Sequence, residues 1–194
     1  GGVMASREAL VRRTVHALIA LTPLYYLIPV EVEPIGVRRW VLLVLFLCAV
    51  IVFESVRLAK GWKFFGLRPH ETGQIASFAW AAAGVTATLW LFPMEIATAA
   101  LVGMALVDPL AGVLRGSGVR DRVTVSSSLA AYFVIAFAAL LAVGEQGLLA
   151  CMAVAALGAA VAIPSEWFTV PHVDDDFLML VVPAVAMTAL SLAL

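Results

Sequence analysis

Charge is what this chain has least of. Only 13% of its 194 residues are Asp, Glu, Lys or Arg, against roughly 25% in an ordinary soluble domain. So few charges cannot cover a water-exposed surface of this size. Twelve Lys and Arg stand against thirteen Asp and Glu; there is no basic excess, and no nucleic-acid partner is expected. Cysteine is nearly missing as well. Cys48 and Cys151 both fall inside apolar runs and read as small hydrophobes, which argues against a disulfide framework or a cysteine-rich metal site. Low-complexity tracts and an inverted internal repeat of the transporter kind are also absent from the pattern.

What the chain does have is hydrophobic residues, 63% of the total. They recur in apolar runs of about 17 to 21 residues separated by short polar segments, long enough to cross a bilayer as helices. The expected fold is all-α: a single-domain polytopic membrane protein with about seven spans, near 10–28, 40–58, 75–92, 96–114, 127–143, 147–163 and 177–193. No small-residue cleavage site follows the first run, so it reads as a signal anchor or first span.

The charges orient these spans. With a cytoplasmic N-terminus, the inside segments hold Arg7, Arg12, Arg13, Arg57, Lys60, Lys63, Arg68, Arg115, Arg120 and Arg122, leaving only Arg38 and Arg39 outside. Such an excess of inside cations sets orientation. The last inside segment, "PSEWFTVPHVDDD" at 164–176, is acidic instead. Three adjacent aspartates gain nothing from facing anionic lipid, so they point to a site.

Several polar residues sit where they are costly. His16 lies within the first span and shares a helix face with Arg12; Arg13 adjoins them, and both arginines also suit a membrane-surface anchor. Glu54 and Arg57 are three apart and can pair on one face. His70 and Glu71 follow on a basic loop and read as solvated residues. In "MALVDPLAGVLRGSG" (104–118), Asp108 precedes Pro109 at the end of a span. A proline there removes one backbone donor and opens the helix locally, and free carbonyls beside a carboxylate suit a hard cation such as magnesium. Arg115, Arg120 and Arg122 lie on the same side, and guanidinium forks match phosphate oxygens. Ser126, Ser127 and Ser128 are placed to cap the fifth span. Capping and the helix dipole explain one or two of Asp174, Asp175 and Asp176; a third suggests contact with a metal or a ribose.

Taken in order, "RRTVH", "FESVRL", "HETG", "LFPMEIATAALVGMALVDPLAGVLRGSG" and "VDDDFLMLVVP" resemble the CTP-dependent polyprenol kinases that include dolichol kinase and phytol kinase. The likeness spans most of the chain in short pieces, and the block from "LFPMEIA" to "DPLAG" is its most specific part, where Asp108 and Ala111 match. Val107 stands where the family commonly has a glycine. Ser126 replaces a glutamate, a lysine leading into that element is missing, and Ser128 keeps the family's serine.

The resemblance implies transfer of the γ-phosphoryl group of CTP, the co-substrate, to the hydroxyl of an isoprenoid or related lipid alcohol, with Mg2+ or another divalent cation. Asp108 would then be the metal anchor, and Asp108, His16 and Glu54 would form the catalytic set. Arg12, Arg13, Arg57, Arg115, Arg120, Arg122, Ser128, Asp175 and Asp176 would bind nucleotide and phosphate. The partners implied are a membrane lipid alcohol, a nucleotide and the bilayer, with the site on the cytoplasmic side; oligomeric state leaves no mark in the pattern. Two alternatives stay open: a CTP-dependent cytidylyltransferase making a CDP-activated lipid, and a non-enzymatic membrane protein such as a transporter or a degenerate family member.

Overall fold

A computed structural model describes residues 14–33, 35–64, 67, 69–165, 170–171 and 173–194. Arg12 and Arg13 lie outside these residues. The described chain is mostly helical, with seven helices. They are α1 (Thr14–Leu27), α2 (Trp40–Lys60), α3 (Ser77–Leu91), α4 (Met94–Gly116), α5 (Asp121–Val143), α6 (Leu148–Ser165) and α7 (Asp175–Ser191). A short antiparallel hairpin, β1 (Glu31–Val32) with β2 (Val37–Arg38), links α1 to α2.

Four helices, α2, α4, α5 and α6, are long and apolar enough to cross a membrane. The all-α expectation therefore holds, while α1 and α3 are shorter apolar helices and α7 has 17 residues. Pro23 explains why α1 does not run on as one regular helix: it sits at the start of a tighter 3-10 segment, Thr22–Leu27, that closes the element.

Helix α4 occupies the centre, packed against α5, α7 and α3; α6 completes the group beside α5 and α7, and α2 stands outermost against α3. Small residues let these backbones approach. A Cβ added to Gly103 on α4 would lie 2.8 Å from the Tyr132 ring of α5, so glycine is what allows the two helices to close over that ring. The core around Tyr132 gathers Ile96, Ala100, Ala136, Val154 and Met187 from four helices.

One local expectation and one element boundary differ from the sequence reading, for identifiable reasons. Pro109 does not break α4, which runs as one helix through it to Gly116. Proline costs a helix the bond to the carbonyl four residues back, here Ala105, and packing on both sides of α4 offsets that loss. Helix α5 begins at Asp121, six residues before the expected span. Its first turns are polar, so a reading based on apolar runs starts the helix late. The serines consequently lie within the helix instead of capping it, and the Ser126 hydroxyl donates back to the Val123 carbonyl.

Candidate functional site

Three helices far apart in sequence bring one polar group each to a common point. His16 of α1 has its Nε2 3.0 Å from Asp176 Oδ1 of α7 and 3.9 Å from Asp108 Oδ2 of α4. With the proton on Nε2, the imidazole donates to Asp176 and faces Asp108, so the histidine bridges two carboxylates. Asp108 keeps 27% of its side chain exposed, whereas that of Asp176 is at 5%. The arrangement thus has a sheltered carboxylate and an accessible one, joined through a ring.

Asp176 belongs to a tighter acidic group. One carboxylate oxygen from each of Asp174, Asp175 and Asp176 lies within 4.8 Å of the others. Local helix chemistry builds part of this: Asp174 is the N-cap of α7, and its Oδ1 accepts the Asp176 backbone N–H at 3.2 Å. Capping leaves Asp176 Oδ2 unexplained. That oxygen is buried and has no hydrogen-bond partner among the described residues, a costly state for a carboxylate unless something else meets it. Burial, reinforced by a side-chain hydrogen bond from Asp175 and by the neighbouring Asp176 and Asp175 charges, pushes the Asp174 carboxyl up to about 7, although the Asp176 amide opposes the shift. Crowded oxygen donors, one of them orphaned, fit a hard divalent cation such as magnesium.

The expected metal anchor, Asp108, is not one of this trio; it meets Asp176 through the same His16 nitrogen, 3.9 Å from Nε2. The sequence points to all three aspartates as a cluster, while the resemblance assigns a binding role only to Asp175 and Asp176. The signal that identifies Asp174 is its N-cap position, which ties its carboxylate to the backbone of Asp176.

The basic residues divide into two groups. Arg115 is exposed near the end of α4, seven residues beyond Asp108 and so on the same helix face about 10 Å along the axis. Arg120 and Arg122 are exposed at the start of α5. These three form a basic rim where α4 ends and α5 begins, and the Arg115 Nε donates to the Ala111 carbonyl at 3.3 Å. Ser128, by contrast, is buried in α5, and its hydroxyl has no partner among the described residues.

Arg57 is a correction. Expected to face phosphate, it is 0% exposed. Its guanidinium forms a two-pronged pair with Glu54 at 2.7 Å on each prong and donates to the carbonyls of Glu71 and Gln74. Glu54, expected to be catalytic, also accepts the Ala76 amide. Glu71, expected to be solvated, is 3% exposed and accepts the Ser77 amide and hydroxyl. Together these residues close the corner between α2 and α3. Two carboxylates satisfy amides at the start of α3, the helix end that prefers negative charge, and the arginine pairs with one of them, Glu54. The predicted pairing of Glu54 with Arg57 is present, and its donors and acceptors are committed to the protein itself.

Chemically, the His16–Asp108–Asp176 group can hold and move a proton, the aspartate trio can hold a cation, and the arginine rim can attract a polyanion. Comparison with protein-family models, curated proteins and solved structures finds no match to this chain.

Proposed function

We propose that this protein is a membrane-embedded phosphotransferase that moves the γ-phosphoryl group of CTP onto the hydroxyl of an isoprenoid or related lipid alcohol at the cytoplasmic face. The observation that carries the reading is the meeting of His16, Asp108 and Asp176 from three helices. In the resemblance, Asp108 and the late acidic pair are the residues that matter.

The chemistry follows from the groups present. The alcohol oxygen attacks the γ-phosphorus, the bond from that phosphorus to the β–γ bridging oxygen breaks, and CDP leaves. The alcohol's proton passes to a carboxylate, Asp108 being the exposed one of the bridged pair. His16 holds the two carboxylates in register through Nε2. Asp174, Asp175 and Asp176 would hold magnesium, which supplies charge neutralisation for the phosphates. Arg115, Arg120 and Arg122 draw the triphosphate to the rim.

The test is incubation of purified protein with magnesium and CTP labelled at either the α- or the γ-phosphate, together with prenols, a prenyl phosphate and diacylglycerol. Label transferred from the γ-position to a prenol supports the kinase. Transfer from the α-position to the prenyl phosphate would instead establish the cytidylyltransferase. No labelled lipid with any acceptor, and no difference between the protein and Asp108→Ala, would overturn both enzyme readings.

A further inference from the structure

A cavity of about 350 Å³ runs between α1, α2 and α3. Its floor is α3, where Ala82 and Val85 present small side chains, and Leu43 and Phe46 of α2 form one wall. Val15 and Phe78 line one end, and Tyr25 and Leu89 the other. Thr22 is also in the lining, but its hydroxyl is already donated to the Ile19 carbonyl at 2.6 Å. The space therefore offers hydrocarbon to whatever enters it, and an apolar cavity of this kind does not hold water.

Its position matters as much as its lining. Val15, at one end, precedes His16 on α1, so that end of the cavity lies one residue from the histidine that meets the two carboxylates. It then follows α3 from Phe78 to Leu89, a distance of about 16 Å at the helical rise, roughly half the hydrocarbon thickness of a bilayer. The Tyr26 hydroxyl, bonded to the Leu89 carbonyl at 3.2 Å, ties α1 to α3 at the far end. The cavity is thus an apolar, partly open channel, tied across at its far end and with one residue of α1 between its near end and His16.

We infer that this channel holds one hydrocarbon chain of the lipid alcohol, with the hydroxyl at the Val15 end against His16 and the residues Ala82, Val85 and Phe46 setting how much chain is gripped. An isoprene unit contributes four main-chain carbon–carbon bonds of about 1.5 Å, or roughly 5 Å, so the channel takes about three units before the chain passes Leu89. The inference rests on the proposed lipid-alcohol reading and adds where the tail lies.

Binding is separated from transfer by photolabelling the full chain in nanodiscs with a diazirine-bearing farnesol and mapping the labelled peptides. The expected result is label concentrated on α1, α2 and α3, displaced by unlabelled farnesol, and reduced about tenfold by Ala82→Phe, which fills the channel. Phe46 is half exposed, so Phe46→Ala leaves the fold intact; it widens one wall and should bring competition by bulkier alcohols closer to that by farnesol. Label spread evenly over all lipid-facing helices, unaffected by unlabelled farnesol and by both substitutions, would mean ordinary bilayer chains fill the space and would overturn the inference. Specific labelling without phosphoryl transfer would overturn the proposed activity and leave the channel standing; transfer without specific labelling would do the reverse.

Discussion

His16 Nε2 stands 3.0 Å from Asp176 Oδ1, although the two residues are 160 positions apart in the chain. That contact joins the first described helix to the last, and it does so beside Asp108 of the central helix. Such closure brings into one place groups that would each be expensive alone in an apolar surrounding. A carboxylate facing an imidazole proton on one oxygen, with no partner for the other among the described residues, is an incomplete arrangement, and the neighbouring Asp174 and Asp175 indicate what chemistry completes it.

The three residues should differ in how their loss is felt. Asp108→Asn keeps shape and removes the exposed carboxylate, and the turnover of γ-labelled CTP with prenol should fall at least about a hundredfold, as for loss of a group that takes the reacting proton. His16→Gln removes only the bridge, so a loss of about 10- to 100-fold is expected, the usual effect of a residue that orients a binding group. Asp176→Asn should weaken magnesium dependence first, raising the metal concentration needed for half activity. Equal and total loss in all three, with unchanged thermal stability, would contradict this division of roles.

Arg57 and Glu54 form a structural lock, and stability should report it. Glu54→Gln leaves a buried guanidinium without its anion, a change that costs about 3–5 kcal/mol in buried pairs. The double substitution Glu54→Leu with Arg57→Met should cost less than the two single ones together, because no charge is left alone. Denaturation of the variants in one detergent provides the comparison. Single substitutions that leave stability unchanged would return both residues to the list of groups open to ligand.

These residues also show how far the sequence alone could be read. The long apolar runs announced α2, α4, α5 and α6, because hydrophobic length is a local property. His16, Asp108 and the aspartate cluster were legible as isolated costs, each a polar group where none is cheap. Their convergence was not, since spacing says nothing about which helices touch. Glu71 and Arg57 misled for the same reason: a charged residue on a basic loop reads as solvated or ligand-facing until α3 is seen to begin against it. The polar first turns of α5 and the helix running through Pro109 were hidden because tertiary packing overrode local signals.

Asp174 gives the metal-free protein a pH dependence of definite sign. Its carboxyl titrates near 3.8 in the ordinary state and at about 7 in the fold. Between those values the folded chain keeps a proton that the unfolded chain has released, so stability declines as pH rises through the window and is flat outside it. Asp174→Asn preserves the cap, since Asn also caps well, and should remove that slope. Unfolding measured in chelator-treated protein at several pH values between about 4 and 8 checks this. A slope that survives in the Asn variant would assign the titration elsewhere.

Tyr132 offers the reverse case, a group whose removal should help. Its side chain is 0% exposed, and its hydroxyl has no hydrogen-bond partner among the described residues. A buried hydroxyl left unpaired costs about 1–3 kcal/mol, and Tyr132→Phe deletes it while keeping the ring that fills the space over Gly103. The Phe variant should therefore be as stable as the parent or more so. Gly103→Ala should do the opposite. Its new methyl would sit 2.8 Å from Tyr132 Cε2 and 2.9 Å from Cζ; with α4 and α5 held close, the ring must shift, at a cost of about 1–3 kcal/mol. Combining Gly103→Ala with Tyr132→Leu should recover part of that cost, because the smaller side chain yields the space. Denaturation of the three variants beside the parent decides the matter: a destabilising Tyr132→Phe would show that the hydroxyl has a partner, such as a buried water, and that the α4–α5 contact is polar at its centre.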